Sequence, residues 1–160
     1  MNSENLQNRS LRNIFGKFAT GVSVVSFYDN QGIPNGITVN SFASVSLEPP
    51  IVLWCLNNNS ELFNEINYRE NYIFNFLSID QKNLAIKLSE KENHTFDSVD
   101  HTHNESGPII KDTLGWISCS KKETISAGDH LIILGIVDDF EIFKNNKKPL
   151  VFWSGDYQNL

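Results

Sequence analysis

The stretch NGITVNSFASVSLEPP, residues 35–50, gathers Thr38, Asn40, Ser41, Ser44 and Ser46 into one short segment and closes on Pro49-Pro50. Small hydroxyls and free backbone N–H groups can satisfy phosphate or ring oxygens without a large charge. The two prolines remove two donors and restrict the approach to the next segment. A rigid, uncharged ledge of this kind suits a ligand with a flat ring and a phosphate tail. The same residue types also build turns that satisfy their own hydrogen bonds. Residue types alone leave both readings open.

His130 is the sharpest single residue. In AGDH it stands at a loop-to-strand junction, where an imidazole can point into a cleft. There it would orient a substrate or donate a hydrogen bond; the plainer reading is a tie between loop and strand, which Asp129 could also make. His94, His101 and His103 lie close together, with Asp97, Asp100 and Glu105 nearby. HTH puts two imidazoles on one side of an extended segment, which is the beginning of a metal site. No cysteine or second close pair completes it, so no metal is expected. A polar lid anchored by Phe96 is the better expectation. Phe152, Trp153 and Tyr157 would either stack on a ring or fill a subunit seam.

Several chemistries lack their motifs. There is no GxGxxG after the first strand, no GxxxxGK[ST] and no GxSxG, so a dinucleotide fingerprint, a phosphate loop and a nucleophile elbow are excluded. Cys55 and Cys119 stand far apart without a CxxC, and lone cysteines in apolar runs are usually buried, reduced and inert.

With 160 residues, 40% hydrophobic and 11% aromatic, the chain can bury a core as a single domain spanning residues 1–160. A net charge of −6 argues against nucleic acid as a partner. The polar start MNSENLQNRS is unlike a signal peptide, and LIILGIV is far too short to span a membrane. A soluble, cytoplasmic protein with no membrane partner is expected.

The elements that must position these residues follow from pattern. Leu6, Leu11, Ile14, Phe15 and Phe18 have near-helical spacing and predict a first helix ending before Gly21. GVSVVSFY and GITVNSF read as strands joined at DNQG into a hairpin. IVLWCL reads as a strand buried on both faces, followed by a short helix capped by Ser60. NYIFNFL reads as a strand, and QKNLAIKL as a helix capped by Ser78 or Asp80. A long irregular loop runs from about Glu90 to Gly107. LGWISCSKKET and HLIILGIVDDFEIF read as two more strands, with Gly135 marking a bend or bulge, and PLVFWSGDY closes the chain. About six strands follow one another with few helices between them. This favours a mainly β, antiparallel barrel with a few peripheral helices.

The ordered set FATGVSVVS, GITVNSFASVSLEPPIVLWCL, NFL, GDH and PLVFWSGDY resembles the flavin reductase family, the short-chain type that supplies reduced flavin to two-component monooxygenases. The resemblance runs from about Arg12 to Tyr157. It implies an antiparallel Greek-key split β-barrel that binds FMN, usually a homodimer with flavin near the subunit interface. It implies that Thr38, Val39, Asn40 and Ser41 meet the ring edge and that Ser46 and Leu47 lie along the same ligand. Asn57 to Ser60 would take the phosphate, Asn75 would join the cofactor set, and His130 would lie near the nicotinamide. Where the family often has a basic residue in the phosphate loop, this chain has asparagines; either the flavin is held loosely, or a basic group from elsewhere, such as Lys82, Lys87 or Lys91, supplies the charge.

The activity so implied is hydride transfer from NADH or NADPH to FMN, or to FAD, with a flavin-dependent monooxygenase as partner. The alternatives are an FMN-binding electron carrier or sensor without nicotinamide turnover, and a dimeric interaction module that has lost its flavin.

Overall fold

Strand β2 (Ser23–Tyr28) is buried along nearly its whole length, and its two faces enter two different cores. Val25 and Phe27 face one core, while Val24 faces another with Val22. A strand covered on both sides must carry apolar or satisfied polar groups at every position. Ser26 meets this demand by donating its hydroxyl to Pro108 O at 2.6 Å.

The structure, a computed structural model, describes residues 3–158. Helix α1 (Ser3–Phe15) and the short β1 (Thr20–Gly21) precede β2. Strands β3 (Pro34–Val39), β4 (Ala43–Leu47) and β5 (Pro50–Asn57) follow, then helix α2 (Phe63–Tyr68) and β6 (Asn71–Phe76). A 3-10 turn (Ile79–Gln81) runs into α3 (Lys82–Lys87), with the short β7 (His101–Thr102) and β8 (Ile109–Ile110) after it. The long hairpin β9 (Gly115–Ala127) and β10 (His130–Ile142) comes next, and β11 (Val151–Trp153) and β12 (Asp156–Gln158) close the chain.

Seven strands form one sheet in the order β3-β2-β6-β9-β10-β5-β4, antiparallel at every pairing. Val39 from one edge strand and Val52, Trp54 and Leu56 from β5 near the other share a core with Phe74 and Ile133. The sheet is therefore rolled, and its inner face encloses the main core. The edge strands β3 and β4 are adjacent in sequence but are not neighbours in the sheet. Register shifts at Leu134/Gly135 and Val137/Asp139, and at Ser44/Ser46, add the local twist that rolling needs.

The second core lies outside β2. Leu77, Ala85, Leu88, Phe96 and Leu150 pack there on Val22 and Val24. Phe96 anchors the long loop as expected: a Cβ on Gly36 would stand 2.7 Å from its ring, so only glycine leaves it that seat. Asn75 joins the layers. It is fully buried, its amide donates to Ser26 Oγ at 2.8 Å and Val24 O at 3.3 Å, and its Oδ1 accepts Ile110 N–H at 2.8 Å.

Several expectations change. Ile51–Leu56 is not covered on both faces: Val52, Trp54 and Leu56 are buried, while Ile51, Leu53 and Cys55 are half-exposed. The matching residues of β10, Ile132, Leu134 and Ile136, are half-exposed too, and none of the six belongs to a core. The described residues form twelve strands rather than about six, because Ala43–Leu47 and short pieces such as β1, β7 and β8 also pair. Helix α1 ends before Gly16, and its Leu11, Ile14 and Phe15 are exposed; the side chain of Leu6 lies outside the described residues. Ser60 accepts Leu62 N–H at 3.3 Å but sits ahead of the α2 cap. Ser78 forms a capping box with Gln81, as one of the two caps foreseen there.

Gly135 lies where a Cβ would collide with the Tyr72 hydroxyl and stand 3.1 Å from the Cys119 Cβ. Gly135→Ala should therefore lower stability by about 1–3 kcal/mol through overpacking, read as an earlier midpoint in urea unfolding. An unchanged midpoint would show that the barrel wall can yield there.

Candidate functional site

The strap from Asn40 to Leu47 hangs on Ser41. Its hydroxyl accepts Cys55 N–H at 2.9 Å and contacts Cys55 O at 3.2 Å, replacing a missing backbone rung of β5. Thr38 holds the start of the strap: its hydroxyl donates to Ala85 O at 2.8 Å and its N–H to Leu88 O at 3.1 Å. Ser46 accepts Glu48 N–H at 3.2 Å and holds the turn into Pro49-Pro50. The Thr38 and Ser41 hydroxyls are thus committed to the protein, and the polar side chains left exposed along the strap are Asn40 and Ser44.

Asn40 stands between two hollows. A cavity of about 780 Å³ is lined by Asn40, Ser44, Ser46 and Leu47 on one wall and by Phe18, Phe42, Trp116 and Phe140 among others. A hollow of about 130 Å³ is bounded by Val22, Thr38, Val39, Asn40, Ser89 and the Phe152–Tyr157 pair. The first accommodates a multi-ring ligand and the second a few waters or one small group. Val39 turns its side chain into the main core, so only its backbone reaches the strap. Leu47 is 92% exposed at the rim. Phe18 and Phe140 are also exposed there, so the cavity mouth is apolar and open.

A second group of residues gathers at the far end of β5. Asn57 and His130 are cross-strand partners. Asn58 donates its N–H to Asp129 O at 3.0 Å, and Asn59 donates its own to Asn57 Oδ1 at 2.8 Å. Gly128 and Asp129 make the two-residue hairpin turn, with Gly128 at φ +63, the left-handed geometry that favours glycine. The Asp129 carboxylate meets His130 Nδ1 at 2.7 Å. This contact holds the carboxyl below its usual range and directs Nε2 outward.

The resemblance implied that Asn57–Ser60 take the phosphate and that His130 lies near the nicotinamide and flavin rings. The structure places them side by side. Ser46 pairs with Ile51, six residues along β5 from Asn57, which is about 20 Å at the rise of a strand. Asn75 stands apart from both groups. Its amide is consumed inside the wall, so it cannot touch a ligand, a correction the NFL motif could not reveal. The HTH imidazoles have separate partners: His103 Nδ1 meets the Tyr28 hydroxyl at 2.8 Å and His101 Nδ1 meets Val99 O at 2.7 Å. Of the three lysines, Lys82 pairs with Asp156 and Lys87 bonds Asp97 O; Lys91 is exposed.

Glu61 was missed. Its carboxylate accepts Glu92 N–H at 2.8 Å and faces His94 Nε2 at 3.5 Å, clamping the 88–94 segment beside Ser60. Its only sequence signal was its place directly after the polar loop. Neither thiol is poised for attack, since burial raises the Cys55 thiol and pushes that of Cys119 up to about 12.

The model of the flavin reductase like domain matches residues 15–160. The chain belongs to this family. It is 41% identical over 142 residues to a probable flavin reductase of Rhizobium meliloti, covering 88% of this chain and 46% of that protein. The chain thus spans about half the length of that relative. Over 160 residues it is 32% identical to HsaB of Mycobacterium tuberculosis, the reductase subunit of a flavin-dependent monooxygenase, covering 99% of this chain and 85% of the other. The fold matches that of SgcE6, a Streptomyces globisporus NADH:FAD oxidoreductase solved with NAD and FAD fragments. The TM-score is 0.89 at 30% identity, covering 97% of this chain and 93% of that one.

Asn75→Ala should cost about 2–4 kcal/mol, because it strands Ile110 N–H in the interior and removes the donor to the Ser26 oxygen, whose hydroxyl keeps only its bond to Pro108 O. Protein that remains folded should bind flavin as before. Lost affinity without lost stability, measured by flavin fluorescence quenching beside thermal unfolding, would return Asn75 to the site.

Proposed function

We propose that this chain is an NAD(P)H-dependent flavin reductase of one domain, residues 1–160, folded as a split barrel that opens between β3 and β4. The observation that carries the reading is the 780 Å³ apolar cavity edged by Asn40, Ser44 and Ser46 within a chain of this family. Neutral donors beside an apolar wall fit a flat heteroaromatic ring with carbonyl and ring-nitrogen edges. The flavin, when bound, accepts hydride from reduced nicotinamide, chemistry carried by the two cofactors themselves.

The protein's part is to bind, align and dry the rings. Backbone groups of Thr38 to Ser41 meet the ring edge, with the Asn40 amide as the adjustable contact. Ser46 and Leu47 border the ring, while Phe18 and Phe140 exclude water. The Asn57–Ser60 loop receives the tail with neutral donors, so flavin is held loosely enough to leave. Release of reduced flavin to a monooxygenase agrees with the naming of HsaB as a reductase subunit.

A homodimer accounts for the uncovered face. Ile51, Leu53 and Cys55 of β5 and Ile132, Leu134 and Ile136 of β10 form one half-exposed apolar surface, of the kind that marks an interface. His130 lies on the same face by strand alternation. Pairing two copies there would put His130 at the seam, able to serve the nicotinamide in the neighbouring groove. Among the described residues no helix is long and apolar enough to cross a membrane, and the two free thiols agree with a reducing cytoplasm.

NADH or NADPH oxidation that depends on added flavin tests the activity directly. Flavin binding without nucleotide turnover would favour an electron carrier instead. His130→Ala should raise the KM for the nucleotide several-fold and leave the flavin Kd unchanged; a weakened flavin Kd would place His130 at the tail of its own groove. Ser46→Asp keeps an acceptor for Glu48 N–H but adds charge beside the ring, and should weaken flavin about tenfold. Unchanged affinity would remove Ser46 from the site.

A further inference from the structure

The large cavity carries exposed apolar groups at its mouth and buried hydroxyls deeper in. Leu47, Phe18 and Phe140 are exposed at the rim. Ser23 lines the same cavity but is only 2% exposed. It stands between Val39 and Phe76 across the sheet. Strand alternation turns its side chain the way of Val25 and Phe27, toward the inside of the rolled sheet. Among the described residues no group partners its hydroxyl, nor that of Thr20 in the same lining. The other buried hydroxyl of β2, that of Ser26, is satisfied by Pro108 O. A buried hydroxyl left unpaired among apolar side chains is costly, and the cavity is the space that Ser23 and Thr20 share.

Resting on the flavin reading above, we infer that Ser23, seconded by Thr20, is a ligand-binding residue that sets which way round the ring enters. The isoalloxazine has two unlike ends. One carries carbonyl oxygens and ring nitrogens, and the other is a benzene ring with two methyl groups. Only the first offers a hydroxyl a hydrogen bond, and only the second suits an apolar rim. The carbonyl end therefore goes inward, to Ser23 on β2 and to Asn40 just past the end of the neighbouring β3. The dimethyl end stays at the mouth beside Leu47, Phe18 and Phe140. The ring of Phe76, half-buried across the sheet from Ser23, turns aside to open the hydroxyl to the cavity. Ser23 is thus polar for the ligand rather than for the fold.

The test pairs flavin binding with the stability of the ligand-free protein, on wild type, Ser23→Ala and Ser23→Cys. Cysteine keeps the volume but forms only weak hydrogen bonds. The probes are FMN and lumiflavin, which keeps the ring and has a methyl group for a tail; both are read by fluorescence. Each variant should weaken both probes about fivefold, the loss of one hydrogen bond to the ring. Neither should unfold earlier without ligand, because no bond within the protein is lost. On the wild type, lumiflavin benzylated at N3 should bind far more weakly than lumiflavin, while an 8-dimethylamino analogue, altered at the dimethyl end, should bind as well. This ligand series reads the orientation without any variant. Unchanged lumiflavin affinity in Ser23→Ala would overturn the inference, as would a loss seen with alanine but not with cysteine, which would assign the effect to volume. An earlier midpoint for the ligand-free variants would make Ser23 structural, and tolerance of the N3 group with rejection of the 8-substituent would reverse the ring. Wild type that binds FMN but not lumiflavin would place the affinity in the tail and overturn the ring contact. Wild type that binds neither would instead overturn the flavin reading itself.

Discussion

The buried amide of Asn75 ties the paired strands β2 and β6 to the outer layer at Ile110, where the second core also packs. It bonds Val24 O and Ser26 Oγ on β2 and takes Ile110 N–H from the outer layer. Each of those groups would be costly to leave unpaired in an apolar interior. Because they are paired, β2 can be covered on both faces. The second core then forms, and α3 and the long loop have a surface to lie on. That outer layer supplies Ala85 O and Leu88 O, which hold Thr38 and with it the start of the strap.

Site and scaffold therefore use polar groups differently. Thr38 and Ser41 hold backbone in place, and Asn75 holds layers together. These hydroxyls and amides give the strap a fixed path along a rolled sheet whose two edges do not pair. The open edge is what leaves room for a large cavity. A closed barrel of this size would fill its interior with side chains. The cavity is largely apolar, with the small polar groups of the strap and the acidic Glu141 in its lining.

Charge is concentrated at the other end of β5. The Gly128–Asp129 turn and the Asn57–Ser60 loop meet there, with Glu61 clamping the 88–94 segment against them. The apolar cavity and the charged cluster thus lie at opposite ends of β5. The separation follows from strand length, since β5 runs from Pro50 at the cavity to Asn57 beside His130.

Much of this was legible in the residues. The hairpin at β2–β3, the bulge at Gly135, the cap at Ser78 and the anchoring of Phe96 follow from local rules of turn chemistry, packing and periodicity. The ledge residues were legible as a group because small polar side chains before a double proline are a local pattern. What each hydroxyl does was not, since its partner lies on another strand: Ser41 meets Cys55, and Thr38 meets Ala85. Asn75 could be read as a ligand contact because sequence does not show which polar side chains are already paired inside. An apolar run does not say whether one face or two are covered, so β5 was expected to be buried and is half open. The meeting of His130 with Asn57, and of Glu61 with Glu92 and His94, depended on register and loop return. Those are settled only when the sheet rolls, because hydrogen-bond partners far apart in the chain are chosen by the fold as a whole.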